Sequence, residues 1–92
     1  MKNKNLLITG AATRVGKAIA LHFAERGWNI ALHYFKSSSK AQNLKKVIEQ
    51  NWVKVVLIKA DLKNVKQVEK IIPLAKKQLG TCLLYTSDAA DE

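Results

Sequence analysis

Three short stretches of this chain carry residue types that could do chemistry together. The first is TGAATRVG at residues 9–16, a turn bounded by Gly10 and Gly16 with Arg14 between them. A glycine-rich turn between a strand and a helix lets backbone N–H groups approach a pyrophosphate, and the helix N-terminus adds a field that favours anions. The second is LHYFKSS at residues 32–38, ending in a cation, Lys36, and hydroxyls that start at Ser37. In dinucleotide sites the ribose 2′ position is read about 20 residues beyond the turn: an acidic residue accepts from a 2′-hydroxyl, whereas a basic one suits a 2′-phosphate. No Asp or Glu stands between Glu25 and Glu49, so nothing near Lys36 repels such an anion. The third stretch, ADL at residues 60–62, places Asp61 and Leu62 just after a strand, at the carboxyl edge where open sheets bind ligands. The spacing is not Gly-x-Gly-x-x-Gly, so the reading rests on the order of elements around it. Without that order, the glycines serve a tight turn, Arg14 and Lys36 are surface cations, and Asp61 is a turn or capping residue.

Those elements are legible. Residues 5–9, NLLIT, are apolar without alternation, as in a strand covered on both faces, and Gly10 ends it. From Val15 to Arg26, Val15, Ala18, Ile19 and Phe23 recur at helical spacing and predict a first helix stopped by Gly27. WNIALHY at 28–34 predicts a second strand, the serines at 37–39 offer a cap, and Ala41, Leu44 and Ile48 face a second helix inward. VKVVLI at 53–58 predicts a third strand. A third helix reads through Val65, Val68, Ile72, Ala75 and Leu79 to Gly80, with Pro73 removing one backbone hydrogen bond and kinking it. Trp28 and Trp52 precede strands and are expected to lid the helix–sheet interface. His22 and His33 have no partnered serine or carboxylate pattern and read as packing or surface histidines. Alternation with short connections implies parallel strands and right-handed crossovers. The expected fold class is α/β: the N-terminal half of a doubly wound, Rossmann-type parallel sheet with three strands and three helices. Its first strand is central and pairs on its free side with a fourth, due just after Gly80.

After Gly80 the chain reads TCLLYTSDAADE. Residues 82–92 resemble the in-frame translation of a transposase adapter used in DNA library preparation. Residues 1–80 are therefore expected to be a partial NADP-binding Rossmann domain, and residues 81–92 a non-native adapter-derived tail. The tail holds the only cysteine, Cys82, so neither an intramolecular disulfide nor a cysteine metal cluster is expected. No metal-ligand spacing occurs elsewhere. The formal charge of +9 invites a nucleic-acid-binding module, but the lysines are spread over every segment and no aromatic-interleaved or zinc motif joins them, so solvated charge is the expected role. A hydrophobic content of 48% excludes a disordered tail, and runs such as VVLI fall far short of the roughly 20 apolar residues that span a bilayer. A soluble, cytoplasmic chain with neither membrane nor nucleic-acid partner is expected.

The turn and the stretch at the end of the second strand together resemble the short-chain dehydrogenase/reductase family, whose usual turn is Thr-Gly-x-x-x-Gly-x-Gly. TGAATRVG with LHYFKSS after it is most similar to its pteridine reductase branch, where arginine replaces the middle glycine and a His-Tyr-x-basic-Ser segment ends the second strand. The resemblance covers residues 5–80. Phe35 and Lys36 stand where that branch more usually has His-Arg, which keeps the charge without the guanidinium fork. The resemblance implies NADP(H) as cofactor, with Gly10, Arg14, Val15, Gly16, Tyr34, Lys36, Ser37, Asp61 and Leu62 in its site. In it Asp61 accepts from the adenine amine and the Leu62 backbone helps fix the ring. It further implies hydride transfer to a pterin or related small-molecule carbonyl or imine, a Tyr-x-x-x-Lys proton-donor pair, and a homotetramer. That pair is not in this chain, since Tyr85 has Ala89 at the lysine position; no catalytic residue is assigned. A 3-oxoacyl-carrier-protein or sugar reductase of the same family is the near alternative, and a noncatalytic nucleotide-binding regulator the distant one.

Overall fold

Alternation along the strands sets the layering. The computed structural model describes residues 4–10, 14–80 and 84–87. Its elements run β1 (Asn5–Thr9), α1 (Arg14–Ala24), β2 (Asn29–Tyr34), α2 (Ser38–Glu49), β3 (Val55–Lys59), α3 (Val65–Leu79) and β4 (Leu84–Ser87). The strands are parallel, in the order β3-β2-β1-β4. Successive side chains of a strand point to opposite faces, so Leu6, Ile8, Ile30 and Leu32 enter one core and Leu7 and Ala31 the other. Right-handed crossovers from β1 to β2 to β3 put α1 and α2 over the first core; the return from β3 past β1 to β4 puts α3 over the second. The N-terminal half of a doubly wound sheet is thus present, with all three expected strands and helices.

Leu84–Ser87 adds a fourth strand, whose backbone pairs Leu7 with Tyr85 and Ile8 with Thr86. It occupies the free side of β1, where the topology calls for strand 4. Cys82 and residues 88–92 lie outside the described residues. At the opposite end of the sheet the strand starts are laced together by side chains. Asn29 donates from Nδ2 to Asn5 Oδ1 at 3.0 Å and accepts from the Lys54 N–H at 2.9 Å, while Asn5 donates to the Leu79 carbonyl at 3.2 Å. Both asparagines are buried, and these bonds offset their desolvation.

Two helices meet the prediction only in part: Ile19, Phe23, Ala75 and Leu79 pack inward as expected, and the other predicted positions do not. In α1 the buried line is Gly16, Ala20 and Ala24, with Ile19 and Phe23 packing from its flank; Val15 is 57% exposed and Ala18 is exposed. Small residues four apart let the helix approach the sheet closely, so bulk moves to the flanks. In α3 the buried residues are Ile71 and Ala75, with Leu79 packed beside them, whereas Val65, Val68 and Ile72 are exposed. Residues 71, 75 and 79 form one line of the helix and 65, 68 and 72 the adjacent one. Both lines are apolar, and only the sheet beneath selects between them. The α2 face of Ala41, Leu44 and Ile48 is buried as expected. The helix α3 continues through Pro73, and its N-cap is Asn64, which accepts from the Gln67 N–H at 3.3 Å.

The two tryptophans also part ways. Trp28 packs on the first core, its ring 5.0 Å from Phe23 and 5.7 Å from Lys4 Nζ. Trp52 is 97% exposed and stands at φ 64°, so it lids nothing. Two residues past the α2 C-cap, Gln50, the chain has to turn through the left-handed region, which glycine enters without a Cβ clash. Trp52→Gly in the complete protein is expected to raise the unfolding free energy by about 0.5–1 kcal/mol, the relief of left-handed strain less the added freedom of the unfolded chain. Urea denaturation checks this, and an unchanged or lower midpoint contradicts it.

Candidate functional site

The carboxyl ends of β1, β2 and β3 bring the singled-out stretches to one edge. After Thr9 the chain bends at Gly10, whose φ of 68° any Cβ would strain. Its N–H points into the protein, donating to His33 Nδ1 at 3.2 Å, so Gly10 contributes the bend and not that donor to a ligand. Residues 11–13 lie outside the described residues. Arg14 opens α1 with an exposed side chain, Val15 is exposed beside it, and Gly16 is buried against the sheet. The first turn of α1 contains no acidic residue, so no carboxylate offsets the positive end of its dipole.

Beside this turn, β2 ends in the half-buried Tyr34, whose carbonyl accepts from the Ala60 N–H at 3.0 Å. Lys36 is exposed, with Nζ 5.8 Å from the Phe35 ring centroid, a cation–π contact that gives the ammonium a preferred position. Ser37 is the N-cap residue of α2 but its side chain makes no capping hydrogen bond, and the first turn of α2 again lacks an acid. Because Ile8 lies opposite Leu32, the turn bearing Arg14 and the segment bearing Lys36 and Ser37 leave neighbouring strands on the same edge. Two cations, a hydroxyl without a capping role and two helix N-termini free of acidic residues converge there.

Asp61 lies just past β3 on the same edge. Its Oδ1 accepts from the Lys63 N–H at 2.9 Å and its N–H donates to Gln67 Oε1 at 2.8 Å. It therefore shapes the turn before α3, while Asn64 does the capping. Leu62 is exposed at the tip.

Of the two histidines read as packing or surface residues, His33 is the packing one, and its hydrogen bonds go further than packing. His33 is fully buried and joins two of the three strand ends: besides accepting from Gly10, its Nε2 lies 2.8 Å from the Ala60 carbonyl oxygen. The available signal was a titratable side chain directly after the apolar run at residues 30–32 of a strand buried on both faces. His22, by contrast, is an exposed residue stacked edge-on against Phe23. Among the described residues no three His, Cys, Asp or Glu gather as a metal site, and no helix is long and apolar enough to cross a membrane.

A left-handed glycine at the end of β1, an anion-favouring helix start behind it, and a cation and hydroxyl at the end of β2 fit a phosphate-bearing dinucleotide. The fold and edge define an α/β nucleotide-binding class. The short chain dehydrogenase family model matches residues 4–84, and the chain belongs to that family. It is similar to the 3-oxoacyl-(acyl-carrier-protein) reductase of Staphylococcus epidermidis, 32% identical over 87 residues, which cover 95% of this chain and 36% of that protein. Among solved structures it resembles a short-chain dehydrogenase from Oenococcus oeni, with a TM-score of 0.89, 32% identity, and coverage of 98% of this chain and 39% of that one. It also resembles FolM alternative dihydrofolate reductase 1 from Brucella canis, complexed with NADP: TM-score 0.82, 28% identity, coverage 90% and 33%. The chain thus spans about a third of the length of the relatives it matches.

Proposed function

We propose that these residues are the cofactor-binding part of an NADPH-dependent reductase. The observation that carries this reading is the cationic edge of Arg14, Lys36 and Ser37 with no carboxylate from residue 26 to residue 48. Gly10, Val15 and Gly16 would hold the pyrophosphate side, Arg14, Tyr34, Lys36 and Ser37 the 2′-phosphate, and Asp61 and Leu62 the adenine. When bound, the reduced nicotinamide supplies a hydride to a C=N or C=O carbon. This chain's own residues bind and orient; the heteroatom's proton comes from a Tyr-x-x-x-Lys pair in the remainder of the enzyme, so the 92-residue chain alone turns over no substrate. A pterin is one proposed substrate, supported by Arg14 in the turn and by the likeness to a dihydrofolate reductase structure. The likeness to a 3-oxoacyl reductase supports a 3-oxoacyl thioester equally. The same reading takes residues 81–92 as adapter-derived and the complete enzyme as a cytoplasmic homotetramer.

Turnover of the complete enzyme tests it, with NADPH or NADH and either dihydrobiopterin or an acetoacetyl thioester. NADPH oxidation with one of the two substrates, and none by the 92-residue chain, is the expected result. Preference for NADH, or turnover by the 92-residue chain, contradicts the assignment.

A further inference from the structure

We propose that His33 is a positioning residue of the cofactor site, a neutral Nε2–H imidazole that sets the spacing between the Gly10 turn and the Ala60–Asp61 turn. The inference rests on the reading of this edge as a dinucleotide site and adds a residue to it. The Gly10 N–H can only donate, so Nδ1 must accept it at 3.2 Å. The single ring proton then sits on Nε2 and is donated to the Ala60 carbonyl at 2.8 Å. Ala60 is held from its other side by the Tyr34 carbonyl, so the residue preceding Asp61 is fixed to β2 twice. His33 has no exposed surface and lies opposite Ile58 in the register of β2 with β3. A dinucleotide must meet the pyrophosphate turn and the adenine turn at once. A ring that ties both to β2 preorganises their separation, and preorganisation raises affinity for a ligand that spans them.

The role separates from mere packing in two ways. An apolar residue of similar size, His33→Leu, removes both bonds; His33→Gln offers one carbonyl acceptor and one amide donor in their place. In the complete enzyme, His33→Leu is expected to weaken NADPH by about tenfold, His33→Gln to restore most of that loss, and adenosine 2′-monophosphate, which meets Arg14 but carries no pyrophosphate for the Gly10 bend to hold, to lose much less in either variant. Titration of each ligand, with circular dichroism to confirm the fold, provides the readout. Long-range 1H–15N correlation spectra of histidine-labelled wild-type enzyme provide a second, independent of cofactor and variants: a protonated Nε2 and an accepting Nδ1 are expected at neutral pH. A proton on Nδ1 overturns the inference, as does equal loss of NADPH and adenosine 2′-monophosphate, or unchanged NADPH affinity in a folded His33→Leu. Wild-type enzyme that binds neither NADPH nor NADH overturns the cofactor reading itself, and the proposed role of His33 with it.

Discussion

Replacing Arg14 by alanine is expected to weaken NADPH binding by about ten- to a hundredfold while leaving NADH within about twofold of wild type. The two cofactors differ only in the 2′-phosphate, which near neutral pH carries about −1.5 to −2 charge. A charge-assisted hydrogen bond to it contributes roughly 1.5–3 kcal/mol, toward the lower end here because the Arg14 side chain is exposed and salt screens it. Lys36→Asp is expected to go further and reverse the preference. A carboxylate at that place accepts from the 2′-hydroxyl of NADH and repels the phosphate of NADPH. The substitution also removes the ammonium now held over the Phe35 ring. Fluorescence titration of both cofactors at two salt concentrations decides the matter: the NADPH loss in Arg14→Ala shrinks at high salt if charge is the cause. Equal losses for NADPH and NADH would mean that Arg14 shapes the turn and does not read the phosphate.

The second large effect concerns stability. Pro73 stands in the middle of the 15-residue α3, on its exposed side. It has no N–H to give the Glu69 carbonyl one turn earlier, and its ring crowds that carbonyl, a combination that costs about 3 kcal/mol in a helix interior. Pro73→Ala restores the bond and removes no core contact. It also frees the unfolded chain, which returns about 0.4–1 kcal/mol. The complete protein carrying Pro73→Ala is therefore expected to gain about 2 kcal/mol against urea. A midpoint equal to or below that of wild type would show that the proline makes a contact worth as much as the missing hydrogen bond.

Local pattern accounts for much of this molecule. Periodicity of two along residues 5–9 and 29–34 is hidden because both faces are covered, yet the uninterrupted apolar runs marked the strands, and Ala41, Leu44 and Ile48 marked the inner face of α2. Arg14, Lys36 and the absence of acid between Glu25 and Glu49 are facts of composition along the chain, legible before any coordinate. The positions of Trp28 and Ser37 were also readable, because each lies at an element boundary that local residues define.

Other features needed the third dimension. The phase of α1 and α3 could not be taken from hydrophobicity, since adjacent lines of each helix are apolar and the sheet favours the line that packs closest: Gly16, Ala20 and Ala24 in one, Ile71 and Ala75 in the other. Trp52 looked like Trp28 in sequence and ended in solvent, because the turn it occupies is left-handed. The strand-start ladder of Asn5 and Asn29 and the bridge made by His33 join residues at least 23 positions apart. A polar group's partner is chosen by strand order and register, and these are settled by the simultaneous burial of two cores, which no window of neighbouring residues contains.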